Sequence, residues 1–212
     1  RDTFLAIVLI ILLVVSIIGF VGEHGLATFF SDHVNIIHFL TSTDWDPTQG
    51  KNHVGALAMI VTSFLVTLIS ALIAAPFAIA VALFMTEYSS KRSAKFLQSV
   101  TELLVGIPSV VYGFLGLTII VPSIRNVFGG TGFGILAATL VLFVMVLPTI
   151  TSLTVDALKA VPTELKNSSV ALGATRWQTI YHVILRASTP RILTAIIFGM
   201  ARAFGVALAV QM

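Results

Sequence analysis

Apolar positions in this chain run together instead of alternating. No charged residue interrupts residues 4–22, 54–86, 103–124 or 126–155. A helix needs roughly 20 apolar residues to cross a bilayer, so each run is long enough. The pattern predicts five spanning helices, at about residues 4–21, 55–85, 103–121, 134–155 and 190–212. The second run is too long for one straight crossing. At 1.5 Å per residue it would reach about 46 Å against a hydrocarbon core of about 30 Å. A bend at Pro76 or a cytoplasmic extension is expected there. Pro148 lies inside the fourth run. The dipeptide Thr189-Pro190 predicts the start of the fifth, with the hydroxyl as N-cap and the proline at the first helical position.

Composition supports the membrane class. The chain is 57% hydrophobic and 10% charged, with a mean hydropathy of +1.04. Soluble domains carry about 25% charged residues. The first run is too long and too rich in Ile and Leu for a secretory leader. Cysteine is absent, which excludes disulfides, thiolate metal sites and cysteine nucleophiles. The net charge of +3 points to no nucleic-acid partner, because the basic residues are distributed by topology. With the N-terminus inside, Arg1, Lys91, Arg92, Lys95, Lys159, Lys166, Arg176, Arg186 and Arg191 are cytoplasmic. Only Lys51 and Arg125 lie outside, and Arg202 falls within a span. This bias orients the N-terminus toward the cytoplasm. Five crossings then put the C-terminus outside, and the apolar end "AVQM" leads us to expect a further helix beyond it.

Two connections are long. The outside loop, about 23–54, holds Trp45, suited to an interfacial position, and the turn sequence "DPTQG". It also holds His24, His33, His38 and His53, at spacings too irregular to predict a metal site. The inside loop, about 156–188, reads as two short helices joined at Gly173. Leu165, Ser169 and Leu172 share one face, and Trp177, Ile180 and Ile184 another. Such a hairpin either lies on lipid headgroups or docks into a groove of a cytoplasmic partner.

Candidate chemistry is sparse. "GGTGFG", residues 129–134, lacks the lysine and hydroxyl of a phosphate-cradling loop and reads as an outside turn. Ser109, in "GIPSVVYG", is not in a nucleophile elbow. It either satisfies backbone beside Pro108 or belongs to a broken stretch, residues 107–110, that faces a cavity. Glu102 is a carboxylate at the cytoplasmic edge, in the pore, or paired to a base. Glu87, Lys91, Arg92 and Lys95 read as a solvated loop. Arg202 is the costly residue. Counted from Pro190 it lies about 18 Å along its helix, near mid-membrane. Such an arginine faces a cavity or a partner. It is either paired to another helix or an anion contact, for which its planar fork of donors is suited.

"LKNSSVALGATRWQTIYHVIL", residues 165–185, resembles the coupling loop of bacterial ABC importer permeases. That pattern runs Glu-Ala-Ala, three residues, Gly, nine residues, Ile-x-Leu-Pro; Asn167, Ser168 and Ser169 occupy the first triplet, Gly173 matches, and Arg186 replaces the proline. "ELLVGIPSVVYGFLGL" is similar to the third spanning region of phosphate-specific permeases and "FLTSTDWDP" to the outside loop of their C-type subunit (PstC), and "LKAVPTELKNSSVALGA" and "GMARAFG" fit the same family. The resemblance implies a polytopic all-α integral membrane permease of six helices, five of them in this chain. It implies a bacterial plasma-membrane location, a second permease subunit, a cytoplasmic ATPase pair that uses the ATP, and an extracytoplasmic phosphate-binding protein. No cofactor or metal is expected on this chain, and no enzymatic activity. Arg202 and Glu102 are the candidates for translocating phosphate. Lys166, Asn167, Ser168, Ser169, Leu172, Gly173 and Ala174 are the candidates for ATPase coupling. The pattern Arg-Ala-x-Gly-Glu expects a carboxylate where this chain has Val206. Other readings are an importer of sulfate or molybdate, the sister phosphate subunit, or a membrane scaffold that transports nothing.

Overall fold

The computed structural model describes residues 2–30, 35–46 and 55–210. Five helical bodies are long and apolar enough to cross a membrane: Ile7–Ala27, Leu57–Tyr88, Ser109–Phe128, Ile135–Lys159 and Arg176–Val206. The chain divides into two compact units, Arg1–Val61 and Thr62–Met212.

In the first unit, α1 (Asp2–Phe30) exposes its apolar side chains on every side from Ile7 to Leu26. A helix hydrophobic all round suits lipid or a partner. The short α2 (Ile36–Thr41) starts at Asn35, whose side chain accepts from the Ile37 N–H. Gly55 and Ala56 donate back to the carbonyls of Asp44 and Phe39, which pins this loop to the start of α3 (Leu57–Leu83). Trp45 is exposed beside it. The turn expected in "DPTQG" extends over Pro47 to Gly50, outside the described residues, as do His33 and His53.

The second unit is built around α7 (Ile135–Lys159), which runs through Pro148 and packs most extensively on α10 (Leu185–Val210). Small residues on α3 permit the close approach of backbones that membrane helices require. Ser70, Ala74, Ala78 and Ala82 recur every fourth residue and are buried. Ser70 also donates to the Thr139 carbonyl of α7 at 3.1 Å. One apolar cluster joins Val66, Ala74 and Ala78 to Leu142, Met145, Ile150 and Ala203. A second, toward the other end of α7, joins Met85, Leu158, Ile180, Ile184 and Ile192. Gly199 lets α10 meet α7: a Cβ there would stand 2.6 Å from the Ile150 side chain.

Three expectations need correction. The third span is Ser109–Phe128, not 103–121. Residues 103–106 instead close α4 (Lys91–Gly106), an amphipathic helix capped by Ser90. Ile107 is extended (φ −67°, ψ 130°), as a residue before proline is biased to be, so the helix ends there. Pro108 then opens α5 (Ser109–Leu115), which continues through a π-helical turn, Gly116–Ile120, into α6 (Val121–Phe128). The fifth helix does not start at Pro190. Thr189 donates to the Leu185 carbonyl and caps nothing, and the helix is continuous from Arg176. Arg186, where the coupling-loop pattern expects proline, keeps an N–H and lets the helix run on. Finally, Glu87 is not in a solvated loop. It lies in a π-helical turn, Phe84–Tyr88, that ends the α3 body, with its side chain 12% exposed. The six residues from Gly129 to Gly134 do form a turn, with four glycines at positive φ.

Candidate functional site

The break after α4 leaves carbonyls at the end of a helix without intrahelical donors. Tyr112, buried on α5, donates its hydroxyl to the Leu104 carbonyl at 2.8 Å. Arg202, from α10, donates Nη2 to the Val105 carbonyl at 2.9 Å and Nη1 to Thr149 Oγ1 at 2.8 Å. A cation at a helix C-terminus also meets the negative end of the helix dipole. Arg202 thus ties three helices at one point: α4 through main chain, α7 through Thr149, and its own α10.

The depth of that point follows from α7. Thr149 lies about 21 Å along the helix from Ile135 and about 15 Å from Lys159 at 1.5 Å per residue. The guanidinium is therefore near the middle of the span, where the sequence placed it, although Pro190 was the wrong origin for the count. A half-buried arginine at that depth has both structural partners and spare capacity. Its fork carries five N–H donors, and two are used. Thr149 accepts from it and retains its own hydroxyl proton. Both candidate roles, interhelical tie and anion contact, fit the same side chain.

Glu102 is not brought to this point. It is exposed on α4 and accepts from Gln98 at 2.9 Å, while Gln98 accepts from Lys159 at 2.9 Å. It forms no ion pair among the described residues. Val206, one turn beyond Arg202, is partly buried against the cluster of Leu142, Met145 and Ala203. A carboxylate there would stand beside the guanidinium, on the same helical face.

The connection between α7 and the last span is a helical hairpin. Its first arm is α8 (Thr163–Ala171) and its second begins at α9 (Arg176–Gln178), which continues into a π-helical stretch, Thr179–Ile184. Gly173 turns the chain with φ +84°. Thr175 and Gln178 cap the second arm reciprocally, and Ser169 bonds Thr179 across the arms at 3.0 Å. Ile180 and Ile184 are buried, but Trp177 does not join their face; it is 63% exposed. Val170 and Leu172 are exposed with it, Leu172 at 88%. Asn167 and Ser168 are exposed, and Ala174 is half-buried. The hairpin therefore presents an apolar tip.

Lys166 faces inward. Its Nζ reaches Glu87 Oε1 at 2.5 Å. Arg176, on the other arm, lies over the Tyr88 ring with its guanidinium carbon 4.8 Å from the centroid. The sequence offers Glu87 only as part of a solvated loop, and it points to none of Tyr88, Thr149, Val105 or Tyr112. The one signal available was the lone charge of Glu87 after a long apolar run. A main-chain acceptor such as Val105 leaves no signature at all.

Residues 74–212 match the family described as binding-protein-dependent transport system inner membrane component. A Bacillus subtilis (strain 168) protein named probable ABC transporter permease protein YqgH is 55% identical over 199 residues, 93% of this chain and 64% of that protein. A Xylella fastidiosa (strain 9a5c) protein named phosphate transport system permease protein PstC is 34% identical, covering 82% of this chain and 59% of its own length. A Mesorhizobium japonicum protein of the same name is 33% identical, covering 96% and 66%. The chain thus spans just under two thirds of the length of these relatives. Among solved structures, an inward-facing MetNI methionine ABC transporter matches with a TM-score of 0.56 at 23% identity, covering 71% of this chain and 68% of that one.

Proposed function

The chain belongs to the inner membrane components of binding-protein-dependent transport systems, and on that footing we propose that it is a pore-forming subunit of a bacterial ATP-driven importer of inorganic phosphate. The observation that carries the substrate class is Arg202, a guanidinium near mid-span with unused donors and a threonine hydroxyl beside it. A dianion crossing a low-dielectric region needs fixed donors, and arginine offers them in a planar fork matched to phosphate oxygens. The relatives named as phosphate permeases favour phosphate over other oxyanions. In this reading the N-terminus is cytoplasmic, a second permease completes the pore, and a binding protein delivers phosphate to the outer face. The hairpin tip docks into a cytoplasmic ATPase pair through Leu172, Val170 and Trp177, as an apolar helix end seats in a groove.

The test is reconstitution of the four components in proteoliposomes with ATP inside. Uptake of labelled phosphate that excess sulfate and molybdate leave unaffected is the expected result. Uptake of either competitor in preference to phosphate would transfer the assignment to that oxyanion, and absence of any ATP-driven uptake would reduce the chain to a scaffold.

A further inference from the structure

Besides the apolar packing of Ile180 and Ile184, two consecutive residues hold the hairpin from inside. Glu87 takes Lys166 on the first arm, and Tyr88 takes Arg176 on the second. These two contacts straddle Gly173, the one turn between the arms. Side chains one residue apart on an α-helix diverge by about 100°. Here they lie in a π-helical turn, and the chain leaves that turn at Ser89 to start α4 at Lys91. The contacts leave the apolar tip uncovered: Val170, Leu172 and Trp177 remain exposed while Glu87 is nearly buried.

A force applied to the tip leaves by covalent routes, through α7 and α10, and by noncovalent ones: the apolar cluster that joins Ile180 and Ile184 to Met85 and Leu158, and the two polar contacts that end at the joint of α3 and α4. The far end of α4 is the break whose Val105 carbonyl is held by Arg202. We propose that Glu87 and Tyr88 are positioning residues that clamp the hairpin to the α3–α4 joint, so that tip movement displaces α4 as a body and reaches the Arg202 contact. The proposal rests on the reading of the hairpin as the ATPase-docking element.

The experiment uses the assembled importer complex with nitroxides at E164C and K95C, both exposed and outside the docking tip. The distance distribution between them is recorded with and without nucleotide. In the unaltered background it stays narrow in both states, because hairpin and α4 move together. Glu87→Gln combined with Tyr88→Leu broadens it, and lowers phosphate imported per ATP hydrolysed by about fivefold or more, the lower range of an ordinary coupling between sites. The exchange Glu87→Lys with Lys166→Glu, keeping Tyr88, narrows it again and restores most of the yield per ATP. That rescue separates the clamp from a general loss of folding. A distribution unchanged by the Gln/Leu pair, or one the charge exchange leaves broad, overturns the proposal. Should the distances behave as stated while the unaltered complex imports no phosphate, the clamp stands and the phosphate reading falls.

Discussion

Arg202 donates to the main-chain carbonyl of Val105, 97 residues earlier in the chain, at the point where α4 stops. A side-chain acceptor can be mutated away by evolution, but a carbonyl is present whatever residue occupies position 105. What the contact requires is the break itself, and the break comes from Pro108. The arginine and the proline are therefore one device.

Replacing Arg202 with lysine keeps the charge and removes the fork. A lysine ammonium is a compact point charge and cannot span Val105 and Thr149 in the same planar geometry. We expect phosphate uptake to fall by at least tenfold, with a lowered melting temperature of the purified complex. Thr149→Val removes only one bond, worth about 1 kcal/mol, and should lower uptake by roughly fivefold or less. Equal effects of the two variants on uptake would contradict the shared role assigned to the guanidinium.

Val206→Glu puts a carboxylate one turn from Arg202. It competes for the guanidinium and repels an incoming anion. A penalty on the order of 1 kcal/mol is expected between partly screened charges, about fivefold in the KM for phosphate. Concentration-dependent uptake measures it directly, and identical curves for both forms would show that position 206 does not bear on the substrate.

Leu172→Asp changes a side chain that touches almost nothing in this chain. Stability should be unaltered. Affinity for the ATPase should drop about 30-fold or more if this is a buried anchor of the interface, the loss expected of an interfacial hot spot of about 2 kcal/mol. Titration of the ATPase onto the detergent-solubilised permease reads this out.

Gly173→Ala meets no steric obstacle, since nothing lies within 4 Å of the added Cβ. Its cost is backbone strain at φ +84°, about 1–2 kcal/mol. Asn tolerates that region better, so Gly173→Asn should retain more ATPase binding than Gly173→Ala. The reverse order would mean that the left-handed turn is not kept in the complex.

Gly199→Ala is different, because the new Cβ would collide with Ile150 beside Val146. Overpacking of this kind costs about 1–3 kcal/mol. Gly113→Ala, with open space around it, is the comparison and should leave thermal unfolding of the complex nearly unchanged. A matched pair of melting curves decides it.

The spans were legible because lipid as a solvent forces long apolar runs, and periodicity adds little beyond that. The hairpin was legible through Gly173 and its spacing. Two boundaries misled in opposite ways. Pro108 ended a helix that looked continuous, because the residue before it went extended. Pro190 did not start a helix that looked new, because Arg186 and its neighbours carried the previous one through. A proline in the first turn of a helix and one inside a long helix present the same local sequence, and packing against α7 selects between them. Arg202 announced itself by cost alone. Its partners did not, since one is a carbonyl and the other a threonine among several on α7.

The unbroken helix through Pro190 has a mechanical meaning. Arg176 stands about 21 Å to one side of Pro190 and Arg202 about 18 Å to the other, at 1.5 Å per residue. Pro190 lacks the N–H that would bond the Arg186 carbonyl, so the ladder has a missing rung there. Taken as a fulcrum, it divides a beam into arms of nearly equal length. A tilt about it swings the mid-span guanidinium almost as far as the hairpin end, and in the opposite direction. With arms that differ by only about 3 Å, a rigid tilt would carry Arg202 almost as far as Arg176 moves, and a bend at the missing rung would shorten that stroke.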